Sequence, residues 1–287
     1  LQLMQQVRDA QVPAVESFDM APDRLGLIFR VVYDFGVAFL EPKGGIRNAG
    51  SILANAYEAN TTAINVGAGA TATLVRNESI ISAVSTTSVA SEVRAIDIAA
   101  TGNLAKIDNT GTISAGVNGS KGTATAIYDA SGTLTAITNT GVIQGFVSPD
   151  AAVAQTGFGY AVYAAANAAG LSIVQSQSAV KDSDPPAMRG AIVLGSGADT
   201  LDLEAGTSTG TVLFGAGADV LKIDGGAKMI GAIGDTGGDL AIEFGLIVDV
   251  VEDVVVFPAQ AVERGHRHQL DVIRELSSAQ REQDLQR

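Results

Sequence analysis

The chain has 287 residues, 31 acidic against 18 basic side chains, no cysteine, no tryptophan, and only 5% aromatic residues against 33 glycines. A net charge of −13 speaks against a nucleic-acid partner, which needs clustered Lys and Arg. The absence of cysteine excludes a disulfide framework and thiolate metal sites. So few rings do not suit a bulky globular core.

Residues 1–45 form an N-terminal flank. They begin polar, with one short helix expected before Pro13, and turn apolar from Leu25 to Leu40. That apolar stretch is 16 residues long, contains Arg30 and Asp34, and has no basic segment before it. It is too short and too charged for a membrane span and is not built like a secretory signal. A strand pair, or an apolar cap over the start of the central body, is the expected role.

From residue 46 to 245 the composition changes. Only 26 of these 200 residues are charged, against 23 of the 87 in the two flanks, and 28 of the 33 glycines lie here. The body also repeats. The word I-x-N-x-G-x-I occurs as I-R-N-A-G-S-I at Ile46, I-D-N-T-G-T-I at Ile107 and I-T-N-T-G-V-I at Ile137, with a looser R-N-E-S-I copy ending at Ile80. Asn48, Asn77, Asn109 and Asn139 are therefore 29, 32 and 30 residues apart. A second word keeps the same beat at Ala63, Ala95, Ala126, Ala161 and Ala191, each followed by Ile or Val. Two linked words at one period mark a stacked repeat.

Each word is short, β-branched and alternating, which suits a strand, and Gly, Asn, Ser and Thr between the words suit turns. No segment between them has the length or spacing of a crossover helix. The expected fold is all-β, a right-handed parallel β-helix of seven or eight coils stacked ~4.8 Å apart, with non-repetitive, partly helical ends. Ile64, Ile96, Ile127, Val162 and Ile192 are expected to stack inside. For the asparagines two readings stand beside each other: a hydrogen-bonded ladder along the coils, and turn residues that tolerate left-handed φ.

The beat loosens at 148–157 and again at K-D-S-D-P-P, 181–186, where protruding loops are expected. Beyond them the period shortens. Asp199, Asp219 and Asp239 recur every 20 residues in Gly-rich corners such as L-G-S-G-A-D-T-L and F-G-A-G-A-D-V-L. These corners partly match the Gly- and Asp-rich nonapeptide of calcium-binding β-rolls. They lack its spacing and its first glycine, so the three aspartates are expected to line one edge, pointing into water, as low-ranking calcium candidates only. Residues 246–287 form a C-terminal flank, an apolar run to Phe257, then Pro258 and an amphipathic helix pattern through Leu270, Ile273 and Leu276. It either folds over the open end of the body or is foreign to it.

Other sites are weighed against plainer roles. Asp97 and Asp129 fall in successive Ala-Ile words with Glu92 and Arg94 nearby, and a catalytic carboxylate pair is the sharp reading, an outward-facing charge the plain one. His266 and His268 lack an obvious third metal ligand and read as a solvated helix surface. No catalytic residue, resident metal or cofactor is expected.

The two words and the G-A-D corners together resemble the passenger domains of Gram-negative bacterial autotransporters (type V secretion), over roughly 46–245. That resemblance implies a β-helix displayed at, or released from, a bacterial cell surface, with a host or cell-surface protein or glycan as partner. It also implies that the parent protein carries a C-terminal outer-membrane β-barrel, which this chain does not include, so that the chain itself does not span a membrane. The expected function is a non-enzymatic stalk or adhesin segment. The alternatives are a carbohydrate-active β-helix enzyme, a polysaccharide lyase or hydrolase, and a calcium-binding β-roll-like module.

Overall fold

The computed structural model describes residues 37–38, 44–149, 153–180, 184–224, 226–237 and 239–245. The helices expected at both ends, His266 and His268 lie outside these residues. Among the described residues every regular element is a strand, and the strands recur in a fixed order through three sheets. The first sheet has nine strands, running from Val37–Ala38 and Ile46–Asn48 through Thr71–Asn77, Asn103–Asn109, Ala136–Asn139, Ser172–Gln175, Thr200–Leu203 and Val220–Ile223 to Ala241–Phe244. The second and third have seven each, starting at Ser51–Tyr57 and Thr61–Val66. All pairings are parallel and join one coil to the next, except that Val37–Ala38 pairs antiparallel with the first coil. This is the parallel β-helix the repeats predict.

The words place specific side chains in specific columns. Ile64, Ile96, Ile127, Val162 and Ile192 are in register and no more than 8% exposed. Val75, Ile107, Ile137 and Ile173 form another column, and Ile52, Ile81, Ile113, Ile143 and Met188 a third. Each buried Ile contributes roughly 1.5–3 kcal/mol relative to exposure.

Asn48, Asn77, Asn109, Asn139 and Gln175 occupy one inward column, all buried. Each asparagine Nδ2 donates to the side-chain oxygen of the next coil, at 2.7 Å for Asn48 to Asn77, 2.8 Å for Asn77 to Asn109 and 2.8 Å for Asn109 to Asn139, and then 3.1 Å from Asn139 to Gln175. The same Nδ2 of Asn77 and Asn109 also donates to the carbonyl two residues on, Ser79 and Gly111. Ladder and corner are thus one device: the amide links coils and closes the turn that carries the chain from the first sheet to the second. Beyond Gln175 the column becomes Leu203 and Ile223, and the polar ladder ends on the Ala205 carbonyl. The glycine of the word has its own reason. A Cβ on Gly141 would lie 2.1 Å from the Gly111 carbonyl oxygen of the coil before.

The second word explains why the early coils are long. In the third sheet both Ala95 and Ile96, both Ala126 and Ile127, and both Ala161 and Val162 are buried, and the ladder partners fall on either side of the alanines. Strict alternation is broken there. Strands of six or seven residues in the second and third sheets then continue toward each other as a narrow wing. Its filling is small: Ala83, Ala115 and Gly145 on one side, Ala95, Ala126 and Ala161 on the other. At Gly145 the approach is backbone to backbone, since a Cβ there would sit 2.1 Å from the Tyr160 carbonyl oxygen and 2.6 Å from that of Ala124. From Ala187 on, strands in both sheets shrink to three residues, the wing is lost, and the coil shortens to about 20 residues, as the Asp199-to-Asp219 spacing shows.

Candidate functional site

Two outer surfaces and one buried column collect the chemistry. The first surface is the tip of the wing, where loops join the second sheet to the third. A groove of about 480 Å³ runs across successive loops, with Tyr57 and Glu58 at one end, Ser88 and Lys121 along it, and Ser148 and Val153 at the other. The groove therefore includes part of the 148–157 loop predicted to protrude. Glu58 is the one non-glycine residue with positive φ among those described, at 51°. Its carboxylate accepts the Ser88 hydroxyl at 2.8 Å, the Ser88 amide at 3.1 Å and the Thr87 hydroxyl at 3.2 Å. Those Ser88 bonds above all hold it below the ordinary carboxylate range.

The second surface is the outer face of the third sheet. The Arg94 guanidinium lies 3.8 Å above the Tyr128 ring, Tyr128 stacks on Tyr163 at 5.4 Å, Tyr163 meets Tyr160 edge-on at 5.3 Å, and Phe158 follows Tyr160 at 6.4 Å. Such contacts contribute about 0.5–1.5 kcal/mol each beyond burial. Arg94 also bonds Asp97 at 3.2 Å and pairs with Glu92 at 3.7 Å. Burial, then Tyr163 and Glu92, raise the Tyr160 hydroxyl above the ordinary tyrosine range. The sequence reading missed this platform, though its signal was present: A-I-Y and A-V-Y place Tyr128 and Tyr163 at the same register position.

Asp97 and Asp129 are not brought together. The ladder partner of Asp97 is Tyr128, so Asp97 faces outward beside Arg94 while Asp129 pairs with Ile98 and is 1% exposed. Asp129 closes a corner instead, accepting the amides of Ser131, Gly132 and Leu134 at 2.9, 3.0 and 3.1 Å. Asp235 repeats the motif with Gly237 and Leu240.

The Gly-rich corners correct an expectation. Asp199 and Asp219 do not point into water; they are 0% and 1% exposed. The period of two requires this, because in D-T-L and D-V-L the aspartate lies two residues before an inward leucine. Asp239 is not their equivalent. The register of Val220 with Ala241 aligns Asp219 with Leu240, and Asp239 is exposed one residue out of column. The Asp199 Oδ1 accepts the Leu171 amide at 2.6 Å, and the Asp219 Oδ1 accepts the Asp199 amide at 2.8 Å. Both Oδ2 atoms are buried without a partner. Burial above all drives both carboxyls up, Asp199 to about 6, with Asp219 adding to the shift of Asp199 and Asp235 to that of Asp219.

Among the described residues no group of three or more His, Cys, Asp or Glu is placed to hold a metal ion, and no helix is long and apolar enough to cross a membrane. The chain matches no family model, no curated protein and no solved structure.

Proposed function

We propose that this chain is a non-enzymatic display segment, a β-helical stalk or adhesin portion of an exported bacterial surface protein of the autotransporter-passenger kind. The observation that carries the reading is where the rings sit. Of the eight aromatic residues among those described, only Phe214 is buried, and Tyr128, Phe158, Tyr160 and Tyr163 are gathered with Arg94 on one outer face. Tyr and Arg clusters of this composition are what binding hot spots are made of, and apolar exposure that is not needed for the core points to contact. Parallel coils supply a rigid support for that face and for the loops at the wing tip, where repeated weak contacts add. The partner is a host or cell-surface protein or glycan.

The enzymatic alternative rests on Glu92 and Asp97, which share Arg94 and so lie near each other. They sit on the outer face of the third sheet, outside the groove at the wing tip, and both are ion-paired to the one guanidinium, which is itself stacked on Tyr128. The test fuses the chain between a signal peptide and an outer-membrane β-barrel in a Gram-negative host. Surface exposure to added protease, and adherence to cultured cells that falls when Phe158 and Tyr160 are changed to Ser, are the expected results. Retention inside the cell, adherence indifferent to that double change, or release of reducing ends from polysaccharides would overturn the reading.

A further inference from the structure

Among the described residues the buried pair at 199 and 219 has no counterion. The charges that act on it are acidic, Asp219 on Asp199 and Asp235 on Asp219, and the neighbouring Lys222 is turned to the outer surface, where it pairs with Glu243 and acts on Asp202. Above Asp199 the column continues as Leu171, 1% exposed. Each carboxyl has one oxygen bonded to a backbone amide, with the Gly195 amide also acting on Asp199, and among the described residues neither Oδ2 makes a hydrogen bond. A buried charge in that position is costly, and two of them one coil apart, ~4.8 Å, repel each other.

A divalent cation and a proton could each relieve this. The cation would need six or more oxygens. The backbone carbonyls of Asp199 and Asp219 already accept the amides of Val220 and Ala241, which leaves the two Oδ2 atoms. Two oxygens suffice for protons.

We propose that Asp199 and Asp219 form a proton-held stack, so that the two short coils containing them are tight in acid and loosen once both carboxyls ionise. The Asn48-to-Gln175 column gives the contrast: there the coils are joined side chain to side chain through amides that carry no charge at any pH, whereas each aspartate accepts a backbone amide of the coil before. The sign follows from the direction of the shift. A folded-state value raised above the unfolded one gives stability that is complete below the unfolded value and is lost as pH rises through about 6. This inference does not depend on the display function.

Hydrogen exchange on the full chain, corrected for intrinsic rates, tests it at about pH 5 and about pH 8. Protection of the Leu171 and Asp199 amides should fall more than ~10-fold between the two, while that of the Asn77–Asn109 coils should not change. In the double variant Asp199→Asn/Asp219→Asn the pH dependence should disappear, because an amide keeps the acceptor oxygen and does not ionise. Equal protection of the wild-type protein at both pH values overturns the proposal. So does a double variant that folds and keeps the pH dependence, or millimolar calcium restoring acid-level protection at pH 8. Should the double variant fail to fold, carboxyl carbon shifts of the wild-type protein decide: Asp199 titrating in the ordinary aspartate range refutes the stack.

Discussion

Changing Asn109 probes the ladder at its centre. The Asn109 Nδ2 donates to Gly111 O at 3.0 Å, Asn139 Oδ1 at 2.8 Å and Val142 O at 3.1 Å, and its Oδ1 accepts Asn77 Nδ2 at 2.8 Å. Two N–H donors serve those three acceptors, so Asn109→Ala removes about three hydrogen bonds' worth of interaction, at about 1 kcal/mol each net. Several partners keep another bond: Asn77 Nδ2 still reaches the Ser79 and Thr112 carbonyls, Asn139 Oδ1 still takes the Gly141 amide, and Gly111 O still takes the Val142 amide. The orphaning penalty is therefore small, and the sum is about 3–5 kcal/mol once a small cavity term is added. Asn109→Asp, nearly the same shape, should cost more near neutral pH, because its second oxygen then faces three acceptors and has no hydrogen to offer. The assay is urea unfolding followed by circular dichroism, with hydrogen exchange to locate the loss, since a repeat array need not unfold in one step. Asn103→Ala, on an exposed side chain, is the control and should lie within about 0.5 kcal/mol of wild type. An Asn109→Ala cost under about 1 kcal/mol, or an Asn109→Asp protein as stable as wild type at pH 7, would refute the ladder as a source of stability.

Ile127→Asp puts an unpaired carboxylate into a column of buried Ile and Val and should cost several kcal/mol in thermal or urea melts. Gly145→Ala should destabilise by about 1–3 kcal/mol, because two backbone carbonyls obstruct the new methyl, whereas Gly67→Ala, with open space around it, should be neutral or slightly stabilising. Excess calcium followed by excess chelator should leave the melting temperature nearly unchanged; a shift above about 10 °C would show that the Asp199–Asp219 region binds the ion after all. Between about pH 4 and pH 6 the short coils should lose stability as pH rises, the opposite of an ordinary salt-bridged carboxylate.

The columns were readable in the sequence because a parallel repeat converts sequence spacing directly into neighbourhood. Once Asn77 and Asn109 share a word, they share a rung. Four features escaped for physical reasons. The wing was hidden because Ala and Ile in the second word both turn inward, and alternation predicts only one of them. Asp199 and Asp219 were placed in water because acidic corner residues usually are solvated, although counting two residues back from Leu201 and Leu221 puts both inside. Asp239 broke the apparent 20-residue series because the inward Ile242 lies three residues beyond it, not two. The aromatic platform needed register between coils and not composition, which described the chain merely as poor in rings.

Every column described above depends on the parallel register, and a chain without native cysteine allows that register to be tested by cross-linking. Asp108, Thr138 and Val174 are consecutive rungs of one outer column. Neighbouring rungs are ~4.8 Å apart, within the Cα range of a disulfide, and alternate rungs are ~9.6 Å apart, beyond it. Mild oxidation, read by peptide mass mapping, should therefore link Cys pairs placed at 108 and 138, or at 138 and 174, and leave a pair at 108 and 174 as free thiols. Efficient linkage of 108 to 174, or none between either neighbouring pair, would contradict the stacked coils.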